Sequence, residues 1–305
     1  MAEFEAPPRP EYNARVEKLL EGSVDLHCHS GPAAMPRILD HHEQLMEAGE
    51  AGFKAVVTKD HYYLGTSHAI ILEKLFPETG VRFFSGIALN NASGGINPHA
   101  VDHAVRLGGK IVWMPTLSAA NHINKVSTEA KGFPKVAGAP DPIPLTVLDA
   151  NGRLTDETKH VLDIIAAGDI ILAGGHLGVD EQFIMFEEAK ARGVRKMLVN
   201  HPTYLIGCNE THIRQLAGMG VMMEHSITQF IPGRGQKSPP QAVIPLIEAA
   251  GVANTVFGSD LGLKGAARPV DGFRIMIAEL LDAGYSEDDI RRMFGSNAAG
   301  MLNLD

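Results

Sequence analysis

The sequence predicts an α/β protein, a single-domain (β/α)8 (TIM) barrel, on three observations. Strand-like and helix-like segments alternate along nearly the whole chain. The strand-like segments are continuous apolar runs, as strands buried on both faces require. Several of them end in residues suited to metal binding, in SVDLHCHSGP, IILAGGHLG, KMLVNHP and NTVFGSDLG. An open doubly wound sheet is the competing arrangement. No Gly-rich phosphate loop follows the first run, however, and a closed barrel gathers distant strand ends on one rim where an open sheet scatters them. The 305 residues suffice for eight units plus extensions.

Strands are expected at 23–28, 54–58, 81–88, 110–114, 169–174, 195–200, 220–225 and 254–259. Helices between them carry their own start signals. Asn97 before Pro98 and Ser238 before Pro239 pair an N-cap with a proline in the first turn. Ser286 with Asp289 three residues on is a capping-box pattern. Gly49, Gly80, Gly108, Gly168, Gly193, Gly251 and Gly284 fall where helix C-termini need them. Residues 1–22 are Pro-rich and acidic at the start (MAEFEAPPRPEYN) and read as an arm over the surface or a partner subunit, with 23–305 as the barrel. They resemble neither a signal nor a transit peptide. The connection 118–154, after the fourth strand, is polar and rich in Pro and Gly, with a hairpin signal at Asn151-Gly152. It is expected to be a loop insertion on the catalytic face, and IPGRGQKSPP after the seventh strand is a second candidate lid.

Composition narrows the function classes. Hydrophobic content of 45% and charged content of 21% are those of an ordinary globular protein. The formal net charge of -9, with no Lys/Arg-rich run, argues against nucleic-acid binding. No apolar stretch approaches the roughly 20 residues that span a bilayer, so no membrane association is expected. Cys28 and Cys208 make neither a disulfide framework nor a Cys-type zinc site, which fits a reducing cytoplasm.

His27 and His29 alternate in one strand, with Asp25 in the same register, so both rings face one side at the strand's C-terminal end. His176 and His201 end the fifth and sixth strands, and Asp260 ends the eighth. Imidazole and carboxylate donors suit Zn²⁺, Mn²⁺, Fe²⁺ or Ni²⁺ better than Ca²⁺ or Mg²⁺. Lys59 and His61 share a face at the end of the second strand (VVTKDHY). Lys59 is open to three readings: a metal-bridging carboxylated lysine, a contact to a substrate anion, or a partner of Asp25 or Asp60. His61, likewise, is a ligand, a substrate contact or a satisfied polar group. His122 and His225 follow the fourth and seventh strands and are candidate substrate contacts. Glu224 is expected to turn away from the pocket. His41, His42, His103 and His160 are expected on solvated helix faces, and Cys28, Trp113, Met222, Met223 and Met276 are packing residues. Arg37, Lys59, Lys125, Arg234, Lys237, Lys264 and Arg268 lie on the catalytic-face loops of an acidic chain. That suggests an anionic small-molecule substrate, with Arg234 and Arg268 as the candidate contacts.

On these residues the sequence resembles the amidohydrolase superfamily of metal-dependent barrel hydrolases. Its HxH on strand 1, histidines on strands 5 and 6 and aspartate on strand 8 match His27, His29, His176, His201 and Asp260. The segments GGHLGVDEQFIMFEEAKARGVRKMLVNHP and FGSD…SEDDIRRMFGSNAAGMLNLD are similar to its amidohydrolase-related members. The resemblance implies one or two divalent metals per subunit, zinc foremost, with Lys59 as an optional carbamate bridge because IVWMPT offers no bridging residue. It also implies homo-oligomers, and Asp260 as the acid–base that takes a proton from an activated water and passes it to the leaving group. The expected reaction is hydrolysis of an amide, ester or related bond. A single-metal decarboxylase or hydratase of the same superfamily is the alternative. The TKDH stretch also resembles the polymerase-and-histidinol-phosphatase group of phosphoesterases. Asn90 and Asp260-Leu261-Gly262 depart from that pattern. A non-catalytic metal-binding protein is disfavoured, since no ligand of the set is missing.

Overall fold

The computed structural model describes residues 6–11, 13–128, 136 and 138–304. Among the described residues nine short strands alternate with helices. In chain order these are α1 (Ala14–Leu20), β1 (Val24–Cys28), α2 (His41–Glu50), β2 (Ala55–Thr58), α3 (Thr66–Leu75), β3 (Arg82–Phe84) and β4 (Ile87–Ala88). Next come α4 (Pro98–Arg106), β5 (Ile111–Trp113), α5 (Ala120–Thr128), α6 (Asp156–Gly168), β6 (Ile171–Ala173), α7 (Val179–Ala191) and β7 (Met197–Asn200). The last are α8 (Glu210–Gly218), β8 (Val221–Ser226), α9 (Ile244–Ala250), β9 (Thr255–Gly258), α10 (Pro269–Asp282), α11 (Glu287–Arg291) and α12 (Asn297–Met301). All eight expected strands are present, the third interrupted at Ser85-Gly86 into β3 and β4.

Two compact units divide the chain. One holds Met1–Lys59, His68–Phe84 and Glu224–Asp305, the other Asp60–Ser67 and Ser85–Met223. In the first unit β1, β2 and β3 form a parallel sheet, with Val24 opposite Ala55 and Ala55 opposite Arg82. Behind it runs an aromatic chain. Phe53 meets Phe273 at 4.9 Å between ring centroids, Phe273 meets Phe294 at 5.5 Å, and Phe294 stacks on Phe257 at 4.5 Å. Such rings bury large apolar area and add edge and offset-stacking attraction. The expected N-terminal arm is in part a packed helix. Asn13 caps α1, whose Val16, Leu19 and Leu20 are buried, and Arg274 holds Glu17 with two bonds of 2.7 and 3.0 Å. Residues 1–5 and 12 lie outside the described residues.

The second unit runs β4, β5, β6, β7 in parallel, with Ile87 opposite Val112, Ile111 opposite Ile171 and Leu172 opposite Met197. Residues 118–154 are not loop throughout, because Ala120–Thr128 forms α5. Residues 129–135 and 137 of that insertion lie outside the described residues. The turn expected at Asn151-Gly152 is present, with Asp149 N donating to Arg153 O at 2.7 Å and Leu148 bridged to Leu154. Caps expected at Asn97 and Ser286 are made, whereas Pro239 precedes a 3-10 turn (Pro240–Val243) rather than an α-helix. Among the described residues no helix is long and apolar enough to cross a membrane.

One helical histidine departs from expectation. His41, at the start of α2, is buried, and its Nδ1 meets Ser30 Oγ at 2.5 Å, which in turn donates to Gln44 Oε1 at 2.5 Å. Burial first, then the nearby His68, pushes its pKa down to about 4. Because this value lies below that of the unfolded chain, the native state binds fewer protons between about pH 6.5 and 4. Stability carried by neutral His41 is therefore complete above about pH 6.5 and is lost as pH falls toward 4, by up to about 3 kcal/mol. His41→Gln should flatten the fall in melting temperature between pH 7 and pH 5; parallel pH curves for variant and wild type would refute this.

Candidate metal centre

In the first unit the C-terminal ends of β1, β8 and β9 carry a compact polar cluster. The ends of β1 and β9 are locked together by one carboxylate. Asp25 Oδ1 accepts from His27 N at 3.0 Å and from Ser259 N at 2.9 Å, and Asp260 N donates to His27 O at 2.6 Å. Burial pushes the Asp25 carboxyl up to about 7, with the Ser259 and His27 bonds pulling the other way. From this frame His27 and His29 direct their rings to one side, 5.3 Å apart and near perpendicular. Asp260 Oδ1 lies 3.2 Å from His27 Nε2 and 3.1 Å from His29 Nε2. The three donor atoms form a group within 4.8 Å of one another.

The outer nitrogens of both rings are anchored. His27 Nδ1 meets Glu224 Oε1 at 2.7 Å, and His29 Nδ1 meets Lys59 O at 2.8 Å. A carboxylate and a carbonyl only accept, so each Nδ1 carries a proton and each Nε2 faces the cluster. Glu224 was expected to turn away, yet it is fully buried against His27. Gly258 makes the approach possible. A Cβ there would stand 2.9 Å from His27 Cβ and 3.0 Å from Glu224 Cδ. His225 takes the opposite face of β8. It packs 5.9 Å from the Phe257 ring, and neither ring nitrogen has a hydrogen-bond partner among the described residues. Burial pushes it down to about 4, so the ring is neutral.

The charges explain what the cluster can hold. Burial works against protonation of His27, but the Asp260 and Glu224 carboxylates outweigh it and raise its pKa to about 9. His29 goes the other way: burial, then the Arg37 guanidinium, lowers it to about 3. Burial opposes the charge on Asp260, yet His27 and His29 keep its carboxyl well below the usual range. His29 therefore presents an unprotonated Nε2 to a carboxylate oxygen 3.1 Å away. Two lone pairs at that distance repel unless a cation stands against both. Two imidazole nitrogens and a carboxylate, oriented by outer bonds, are a donor set that fits a divalent transition metal. Lys59 Nζ, 1% exposed as a residue, lies 3.1 Å from the same His27 Nε2.

The second unit has a histidine cluster of its own. His122 Nδ1 meets His176 Nδ1 at 2.8 Å with the rings stacked, and His176 and His201 lie 4.9 Å apart. His61 is 6.3 Å from His176 and bonds Thr116 Oγ1 at 2.9 Å. Asn90 organises it, a role no local sequence signal betrays. Its Oδ1 accepts from Thr116 N and Ser118 N, and its Nδ2 donates to Thr116 Oγ1 and to His61 O. His201 and Asp260, both at strand ends, adopt left-handed backbone with φ of 33° and 48°. Such conformations cost on the order of 1–3 kcal/mol and concentrate at functional sites.

Of the expected site residues, His27, His29, Lys59 and Asp260 thus assemble in one unit, and His61, His122, His176 and His201 in the other. The two arginines expected as substrate contacts have partners within the protein. Arg268 pairs with Glu47 at 2.6 Å, and Arg234 Nη1 donates to Lys264 O at 3.2 Å. Long side chains on loops take whichever acceptor the fold brings near.

Comparison with known proteins agrees on the architecture. The chain is similar to the probable dipeptidase PvdM from Pseudomonas aeruginosa (12% identity, 94% of this chain and 96% of that one, TM-score 0.66). It is similar to an amidohydrolase from Pseudomonas aeruginosa (12% identity, 95% and 98%, TM-score 0.62). A third is an amidohydrolase from Burkholderia multivorans with bound zinc (14% identity, 93% and 99%, TM-score 0.55). These similarities show the fold class, the (β/α)8 barrel. The chain belongs to a family of unknown function, DUF6282, whose family model matches residues 22–224. That span includes His27, His29, Lys59, His176, His201 and Glu224 and stops short of Asp260. No curated protein matches the sequence.

Proposed function

We propose that this protein is a metal-dependent hydrolase whose metal is held by His27, His29 and Asp260. The observation that carries the reading is the convergence of their three donor atoms, with each outer imidazole nitrogen bonded to an acceptor. A divalent ion there, zinc foremost, supplies Lewis acidity toward a carbonyl or phosphoryl oxygen and lowers the pKa of water. Asp260 accepts a proton at its carboxylate and returns it to the leaving group. The Lys59 carbonyl keeps His29 in the tautomer that leaves Nε2 unprotonated, and Glu224 orients the His27 ring, whose Nε2 must give up its proton to serve as a donor. Asp25 keeps the ends of β1 and β9 in register, so that Asp260 remains against both rings.

Lys59 decides the metal count. Lys59 Nζ lies 3.1 Å from His27 Nε2, and reaction of its neutral amine with CO2, with release of a proton, would give an anionic carbamate donor there. We assign it as the carbamate bridge of a two-metal centre acting on an amide, ester or related bond of a small anionic substrate. Elemental analysis of wild type and Lys59→Met, purified in bicarbonate, tests this. Near two metals per chain falling toward one in the variant is expected. Near one in both would retire the bridge and move non-oxidative decarboxylation ahead of hydrolysis. None in either, after supplementation, would overturn the metal reading.

A further inference from the structure

Two segments that the sequence singles out and the metal centre does not use meet in the first unit: the N-terminal arm and the loop after β8 (IPGRGQKSPP). That loop is closed at its neck, where Lys237 N and Ser238 N both donate to Gln229 O, at 2.8 and 3.0 Å. Its tip is Gly233-Arg234. Arg234 N donates to Gly265 O at 2.9 Å and its Nη1 donates to Lys264 O at 3.2 Å, so the tip is fastened to the loop after β9. Pro7 of the arm lies on the same tip. A Cβ at Gly233 would stand 3.3 Å from Pro7 Cδ and 3.5 Å from Gly265 O, and φ there is 123°. Three segments thus meet where only glycine leaves them room.

Arg9, a little further along the arm, reaches α2 and α10. Its Nη2 donates to Glu47 Oε1 at 3.2 Å, and its Nε lies 3.6 Å from Asp271 Oδ2. Arg268, which closes the loop after β9 and precedes α10, takes the same Glu47 oxygen at 2.6 Å. The arm is therefore tied to the loop after β9 in two places, through the Gly233 tip at Gly265 and through Glu47 at Arg268. That loop begins with the metal-binding segment, since β9 ends at Gly258 and Asp260 follows. Leu261 O accepts from His29 N and Gly262 O accepts from Ile38 N, both at 2.8 Å. Arm, tip, loop and Asp260 form one continuous run of contacts.

The arm is held lightly. The Arg9 side chain is 67% exposed, and exposed ion pairs contribute little and are screened by salt. Docking also costs little, because the prolines of PPRP fix φ and extend the segment before it binds. We propose that Pro7–Arg9 is a releasable strap. Docked, it holds the loop after β9, and with it Asp260, against His29; released, it loosens that loop and speeds loss of the metal. The hold on Asp260 rests on the metal reading given above, whereas the strap itself does not.

The test compares full-length, zinc-loaded wild type with a Pro7→Gly, Arg9→Gln double variant, by amide hydrogen exchange and by zinc transfer to excess EDTA. Exchange over residues 231–238 and 261–267 should rise about tenfold or more in the variant, while β2 and the melting temperature stay as in wild type. Zinc transfer passes through the same opened loop and should quicken by a similar factor. Raising NaCl to about 1 M should move wild type toward the variant and change the variant little, a response that loss of mere packing would not give. Equal exchange of the two loops in both proteins, or a rise spread evenly along the chain, would overturn the strap. Faster loop exchange with unchanged zinc transfer would overturn its hold on Asp260. A wild type that retains no zinc would overturn the metal reading and that hold with it, and the exchange comparison would still decide the strap.

Discussion

Asp260→Asn should leave a folded protein that no longer retains metal. Asparagine has the same shape as aspartate and tolerates the left-handed backbone at position 260, where φ is 48°. What the substitution removes is the negative charge 3.1–3.2 Å from both Nε2 atoms. Loss of an outer-shell partner typically costs about 10–100-fold in metal affinity, and loss of a charged ligand should exceed that. Metal retained after gel filtration is expected to fall to background. Circular dichroism and the melting temperature of the metal-stripped proteins should remain close to wild type. Retention of stoichiometric metal by the variant would remove Asp260 from the centre.

Gly262→Ala should be among the most destabilising single-methyl additions in the chain. Its φ is 126°, a region L-residues rarely enter, and a Cβ would fall inside the van der Waals envelope of the His29 carbonyl oxygen. Neither neighbour can retreat easily, since Leu261 O accepts from His29 N and Gly262 O accepts from Ile38 N. Strain plus collision should cost about 3–5 kcal/mol, a large share of the roughly 5–15 kcal/mol that separates folded from unfolded domains. The melting temperature should drop on the order of 10 °C. Gly284 separates the two causes. Its φ of 93° is also positive, but nothing stands within 4 Å of the added Cβ. Gly284→Ala should therefore show the strain alone, about 1–2 kcal/mol. Equal losses at both positions would show that the collision at Gly262 is relieved by movement of the loop.

Much of the fold was legible because its signals are local. Buried strands announce themselves as apolar runs, and caps such as Asn97 and Ser286 act on N–H groups two or three residues away. Parity was harder. In β8, Val221–Ser226, apolar residues point to both faces, so the run VMMEHS carries no alternation from which to choose between Glu224 and His225. The structure chose Glu224 through a bond to His27, 197 residues distant. His41 shows the same limit: a histidine near a helix start reads as solvated until Ser30 and Gln44 close over it.

The types and order of the candidate donors, His27, His29, Lys59, His176, His201 and Asp260, could be read from the chain because metal chemistry demands particular atoms at strand ends, and the structure brings His27, His29 and Asp260 together. Their tautomers, anchors and charges were decided by packing. The bonds that set them join residues far apart in sequence, as His29 and Asp260 are by 231 positions, and no local pattern encodes such a pair. The same holds for the cations. Of seven basic residues on the loops the sequence singled out Arg234 and Arg268, and only the backbone ladder through Gly262 and Leu263 put Arg37 beside His29 while Arg268 pairs with Glu47.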